Sequence, residues 1–209
     1  LFVLSLCLCV TFSNSSVFAA GESVDCLTAP GTNKWALWAC GTRLRGANIW
    51  QAVVVPELDG DDFKGTDVVG PPYAQTDFDA LAALGANYVV ISGPGLYTEQ
   101  PPYILDEAIA VYMDGLVAMI SEANMYVSLS IRTGPGRSEY GLCCLGDPYY
   151  DGYFNDSVWQ DAEAQDAWVA MWRDIAQRYR DNPVVVAYEL MVEPNNNELI
   201  PTPSYDPEE

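Results

Sequence analysis

Val184-Val185-Val186-Ala187-Tyr188-Glu189-Leu190-Met191-Val192-Glu193-Pro194-Asn195 opens on an apolar, β-branched run and closes on a carboxylate before proline. Val and Tyr suit a pleated backbone. An apolar run without clean alternation fits a parallel strand covered on both faces. Pro194 cannot donate to a ladder, so it ends the strand. On a period of two, Glu189, Met191 and Glu193 share one face, with Glu193 at the rim and Glu189 deeper. A carboxylate in such a place is costly unless it is paired or used. Arg45 or Arg132 is the expected partner of Glu189. For Glu193 the local residues support a functional and a structural reading equally.

Three upstream segments, 44–50, 87–92 and 126–132, have the same Val-, Ile- and Tyr-rich character. Helical patterns separate them. Thr76 is placed to cap a helix over 77–84 that Gly85 stops. The stretch 105–123 carries Leu105, Ile109, Tyr112, Met113, Leu116, Val117 and Ile120 on one stripe, and 160–180 repeats the pattern through Trp168, Trp172, Ile175 and Tyr179. The order β-α-β-α-β-α-β predicts an α/β fold with a parallel sheet. Helix-to-strand links are short and strand-to-helix links are long. Long loops at the C-terminal ends of parallel strands are where α/β enzymes place their working face, although an open doubly wound sheet has the same asymmetry. Gly93-Pro94-Gly95 and Gly134-Pro135-Gly136 lack the spacing of a phosphate loop and are expected to be sharp turns at that rim.

Nine basic residues against twenty-nine acidic ones give a net charge of −20. Such a chain repels phosphate backbones and anionic lipid, so nucleic-acid and membrane-surface roles are not expected. The chain has no His and no C-x-x-C, which argues against a zinc site; no metal or cofactor is expected. The sequence does not begin with Met, and its apolar start, too short to span a bilayer, is followed by small and polar residues up to Ala20. Residues 1–20 therefore read as a signal peptide lacking its basic n-region, with a secreted or periplasmic protein beginning at residue 21. In that compartment Cys26–Cys40 is a plausible disulfide. Asn155-Asp156-Ser157 matches a glycosylation sequon.

The segment 187–195 resembles the Asn-Glu-Pro segment that closes strand four in glycoside hydrolase family 5, the cellulase family. Leu44-Arg45-Gly46-Ala47-Asn48-Ile49 resembles that family's first strand. Leu84-Gly85-Ala86-Asn87-Tyr88-Val89-Val90-Ile91 resembles its second, and 174–183 the helix and turn before its fourth. The resemblance covers about 43–198. It implies a TIM (β/α)8 barrel, truncated after about strand four, so that 21–209 is the N-terminal half of a catalytic domain. It also implies that Glu193 is the general acid/base of a retaining β-glycosidase acting on a cellulose- or mannan-like polysaccharide. The nucleophile is then expected beyond Glu209, and the chain alone is expected to be inactive.

Three departures qualify the resemblance. Val192 stands where the family has Asn, Arg132 ends the third strand where many members have His, and the second strand lacks the usual Arg. Arg132 has two readings, a contact to substrate or carboxylate, or a rim salt bridge. Trp50, Tyr97 and Asn195 are the further candidate substrate contacts. Tyr73, Tyr103, Tyr140, Tyr149, Tyr150 and Tyr153 also fall at strand ends or in long loops. Two or three of these eight aromatics (the six tyrosines with Trp50 and Tyr97) are expected to meet sugar. A non-catalytic carbohydrate-binding barrel is the alternative reading.

Overall fold

The computed structural model describes residues 34, 37, 40–59, 65, 67–142, 148–150 and 152–194. Six strands and three α-helices are formed among them: β1 Gly46–Trp50, β2 Ala52–Val53, β3 Val69–Gly70, α1 Gln75–Ala83, β4 Tyr88–Pro94, α2 Glu107–Glu122, β5 Tyr126–Thr133, α3 Ala162–Tyr179 and β6 Val185–Glu189. Two 3-10 turns, Glu139–Leu142 and Ser157–Trp159, lie between β5 and α3.

The expected α/β order is present. β1, β4, β5 and β6 form one four-stranded sheet in that order, and every pair is parallel. Four strands joining in chain order without reversal wind in one direction, whereas a doubly wound sheet reverses at a switch point. The sequence reading missed the antiparallel pair β2–β3 within the first long loop; two-residue strands carry no periodic signal.

The sheet has two unlike faces. Val89, Ile91, Val127, Leu129, Ile131 and Val185 are buried against Phe78, Ile109, Met113, Leu116, Val117, Ile120, Trp168, Met171 and Ile175 of the helices. On the opposite face the Tyr88 hydroxyl bonds to Ser128 Oγ, and the Ser130 hydroxyl donates to Glu189. The strands are therefore not uniformly apolar on both sides: β5 is buried along most of its length, whereas β6 ends exposed.

Asp106 caps α2, its Oδ1 accepting from the N–H groups of Ala108 at 3.0 Å and Ile109 at 3.1 Å. Asp161 caps α3 through the Glu163 N–H at 2.9 Å. Each such cap contributes about 1 kcal/mol. The expected cap at Thr76 is not used. α1 starts one residue before it, and Asp77 reaches back to accept from the Ala74 N–H at 2.8 Å.

Cys40 is disulfide-bonded; Cys26, the 1–20 segment and Asn195 lie outside the described residues. Among the described residues no helix is long and apolar enough to cross a membrane.

Candidate active site

The C-terminal ends of β1, β4, β5 and β6 form one rim, and the chemistry collects there. Trp50 is the last residue of β1, and Arg132 is next to last in β5. β6 stops at Glu189, earlier than the sequence suggests, so Glu193 sits in a loop four residues past the strand.

That loop is nevertheless held. The Trp168 and Trp172 indoles both donate to the Leu190 carbonyl, at 3.3 and 2.8 Å. Val192 N–H donates to the Ile131 carbonyl at 2.8 Å, keeping the chain beside β5 after regular pairing ends. Arg137 donates from Nη1 to the Val192 carbonyl and from Nη2 to the Glu193 carbonyl, each at 2.6 Å. Glu193 itself has φ +45°, a backbone value rare for a residue with a Cβ. Its side chain is exposed, and among the described residues no group donates a hydrogen bond to its carboxylate.

Glu189 is exposed and takes the Ser130 hydroxyl rather than an arginine. The expected pairing with Arg45 or Arg132 does not form, because Glu139 claims Arg132. The Glu139 carboxylate accepts from Arg132 Nη2 at 2.7 Å and Nε at 3.1 Å. It also accepts from the Trp50 indole at 3.2 Å, tying the ends of β1 and β5 together. Arg132 thus has the rim salt bridge of the two readings given above, with its charge fixed in a bidentate fork.

Glu99, in the loop after β4, has a carboxyl pushed up to about 7. Desolvation dominates; the Thr133 hydroxyl opposes it from a position short of standard hydrogen-bond geometry, and the Glu139 charge adds to it. Glu99 and Thr133 line a cavity of about 240 Å³ with Val53, Gly95, Tyr97 and Asp106.

Arg137 is fully buried. Burial pulls its pKa down and Asp156, 4.0 Å from Nε, opposes that; a guanidinium stays charged under such opposition.

The loop aromatics mostly pack on one another. Tyr140 stacks on Tyr150 with centroids 5.0 Å apart, and Tyr149 meets Tyr150 edge-on at 5.0 Å. Tyr73 packs on Phe78, and Tyr103 is buried. Tyr97 turns to the helical layer, donating to Asp174 of α3 at 2.5 Å. Trp50 and Arg132 are therefore brought together with Glu139, while Tyr97 is engaged elsewhere. Asn155 Nδ2, the atom a glycan would occupy, donates to the Glu99 carbonyl at 3.0 Å.

Sequence reasoning missed Arg137, Glu139 and Glu99. One signal was available: in a chain with only nine basic residues, two arginines flank the turn after β5. Among the described residues no group of three or more His, Cys, Asp or Glu side chains is placed to hold a metal ion.

Comparison with curated proteins finds no match. Several solved structures share the fold. One described as a glycoside hydrolase is 24% identical with a TM-score of 0.55, covering 74% of this chain and 42% of that one. Endo-glycoceramidase II from Rhodococcus sp. is 19% identical with a TM-score of 0.52, covering 83% and 44%. Endoglucanase Cel5A from the hyperthermophilic Thermotoga maritima is 22% identical with a TM-score of 0.50, covering 74% and 41%. The chain thus spans about two-fifths of the length of these structures. The family profile of cellulases, glycosyl hydrolase family 5, matches residues 51–201. With a match across most of its length, the chain belongs to glycosyl hydrolase family 5.

Proposed function

We propose that the four-stranded sheet is half of a (β/α)8 barrel and that Glu193 is the acid/base of a retaining β-glycosidase. The observation that carries this reading is an exposed carboxylate on an anchored backbone at the C-terminal rim, just past the fourth parallel strand. In (β/α)8 enzymes the strand ends at that face supply the catalytic groups.

Retaining hydrolysis needs two carboxyl groups about 5–5.5 Å apart. A nucleophilic carboxylate, which we place in sequence beyond Glu209, attacks the anomeric carbon. The glycosidic oxygen leaves with the proton of Glu193, and a covalent glycosyl-enzyme forms. Water then attacks the same carbon, gives its proton back to Glu193 and releases the nucleophile.

The substrate class is a β-linked polysaccharide, cellulose- or mannan-like, in keeping with family membership and with an endoglucanase among the similar structures. Trp50 and the exposed Tyr149 offer aromatic faces at the rim loops. The apolar start of the chain supports export, to the periplasm or medium, where polymeric substrates occur.

Glu193→Gln in the complete protein that carries this chain tests the reading. Release of reducing ends from β-1,4-glucan or mannan is expected to fall by about 10²–10⁴-fold with the circular dichroism spectrum unchanged. Undiminished activity in that variant overturns the assignment. A wild-type protein that binds oligosaccharides without cleaving them supports the carbohydrate-binding barrel instead.

A further inference from the structure

We infer that Arg137 is a positioning residue that sets the direction of the Glu193 carboxylate by gripping the backbone on which it stands; this rests on the acid/base reading of Glu193.

Successive carbonyls of an extended strand point to opposite sides. One guanidinium cannot reach two of them unless the chain turns between. Arg137 nevertheless donates to the carbonyls of Val192 and Glu193, both at 2.6 Å. The turn this requires is the one observed, with Glu193 at φ +45°. Local sequence opposes that conformation twice. Glu193 has a Cβ, which crowds the carbonyl in the left-handed region, and the adjoining Pro194 favours an extended residue before it. Something outside the segment must hold it, and the Arg137 fork contacts the residue directly.

Arg137 is itself fixed from three sides. Its N–H donates to the Gly134 carbonyl at 2.8 Å and its carbonyl accepts from Gly134 N–H at 2.9 Å, closing a tight turn. Pro135 and the positive-φ Gly136 are the residues a type II turn requires at its centre. Nη1 also donates to the Arg132 carbonyl at 3.3 Å. Nε has no hydrogen bond among the described residues but faces the buried Asp156 at 4.0 Å, whose Oδ1 also accepts from the Trp159 indole at 2.9 Å.

Burying a cation is expensive, and its side-chain hydrogen bonds here go to backbone carbonyls, one at the end of β5 and two in the Glu193 loop. A lysine preserves the charge but lacks the planar fork that reaches two carbonyls at once. With it, Glu193 is expected to relax toward the extended conformation and carry its carboxyl away from the leaving oxygen.

The test uses the complete protein carrying this chain and two aryl β-glycosides. A phenyl leaving group needs protonation; a 2,4-dinitrophenyl group leaves without it. In R137K, kcat/KM on the phenyl glycoside is expected to fall about 10–100-fold, the scale of a small misplacement of a reacting group. On the dinitrophenyl glycoside it is expected to stay within about twofold, because glycosylation there needs no acid. Equal losses on both substrates reduce Arg137 to a structural residue and overturn the inference, as does no loss on either. E193Q run in parallel separates the two claims. If E193Q discriminates between the leaving groups and R137K does not, the positioning role alone fails; if E193Q does not discriminate, the acid/base reading fails and takes the inference with it. Should R137K not fold, D156N keeps the fork and weakens its anchoring charge. It is expected to give the same leaving-group signature at smaller size, and equal losses on both substrates overturn the inference there too.

Discussion

At the end of β4 the Gly93-Pro94-Gly95 segment runs on in extended form. Pro94 still belongs to the strand and pairs with Thr133 after a register shift, and Gly95 N–H donates to the Thr133 carbonyl at 2.8 Å. After β5 the same tripeptide, Gly134-Pro135-Gly136, reverses the chain, with Gly134 and Arg137 bridged across it and Gly136 at φ +71°. The expectation of two sharp turns therefore holds at the second site and is corrected at the first. The next residue along distinguishes the two tripeptides. Leu96 is apolar and continues into the core, whereas Arg137 is a cation whose bonds lie back toward β5 and the Glu193 loop. The two loops are also joined, since Gly136 N–H donates to the Glu99 carbonyl at 3.0 Å.

The glycines serve different needs, and alanine substitutions expose the difference. A Cβ on Gly136 would lie 2.7 Å from Ala164 Cβ and 2.8 Å from Val158 N, on a backbone already in the left-handed region. Gly136→Ala is expected to cost about 3 kcal/mol in denaturant unfolding, combining strain and overpacking. At Gly95 the backbone is ordinary and the obstacles are Met171 Sδ at 2.3 Å and the Thr133 carbonyl at 2.8 Å. Gly95→Ala is expected to cost about 2 kcal/mol. A double-mutant cycle with Met171→Ala sharpens the contrast, with coupling of about 1 kcal/mol for Gly95 and additivity for Gly136. Equal coupling at both would mean that the two tripeptides are packed alike.

The last expected effect is electrostatic. The Glu99 carboxyl is held at about 7 against an ordinary value of 4.5. Between those values the unfolded chain has lost the proton and the folded chain keeps it, so stability falls as pH rises from about 4.5 and levels off above about 7. A shift of that size bounds the loss at about 3 kcal/mol. Melting temperatures across that range are expected to decline less in Glu99→Gln; an unaltered decline removes Glu99 as its cause.

The elements were largely legible in the sequence because each long one carries a period. The α3 stripe through Trp168, Ile175 and Tyr179 is buried as expected, and β5 departs from its expected end by one residue. The ends were less legible. Asp77 reaching back past Thr76 is a choice between two nearby caps that composition does not decide. β6 stops early because Leu190 gives its carbonyl to two indoles instead of to the sheet.

At the site, the proposed role of Glu193 rests on the resemblance, while its place just past the fourth strand was legible from the apolar run and Pro194. Arg137 was not, since its partners are carbonyl groups that every residue possesses. Glu139 was hidden for a related reason: its pairing with Trp50 joins residues 89 positions apart. Arg132 was singled out at the end of the third strand, and its partner Glu139 emerged only from the folded loop.

Glu193, on the reading proposed above, delivers and later removes a proton in a double displacement. Azide rescue of Glu193→Ala in the complete protein tests that role most directly, with a 2,4-dinitrophenyl β-glycoside as substrate. Azide needs no general base, so it is expected to restore turnover and to yield the β-glycosyl azide, with anomeric configuration retained. A variant that turns over as fast as wild type without azide, or one that azide leaves unchanged, would contradict the account.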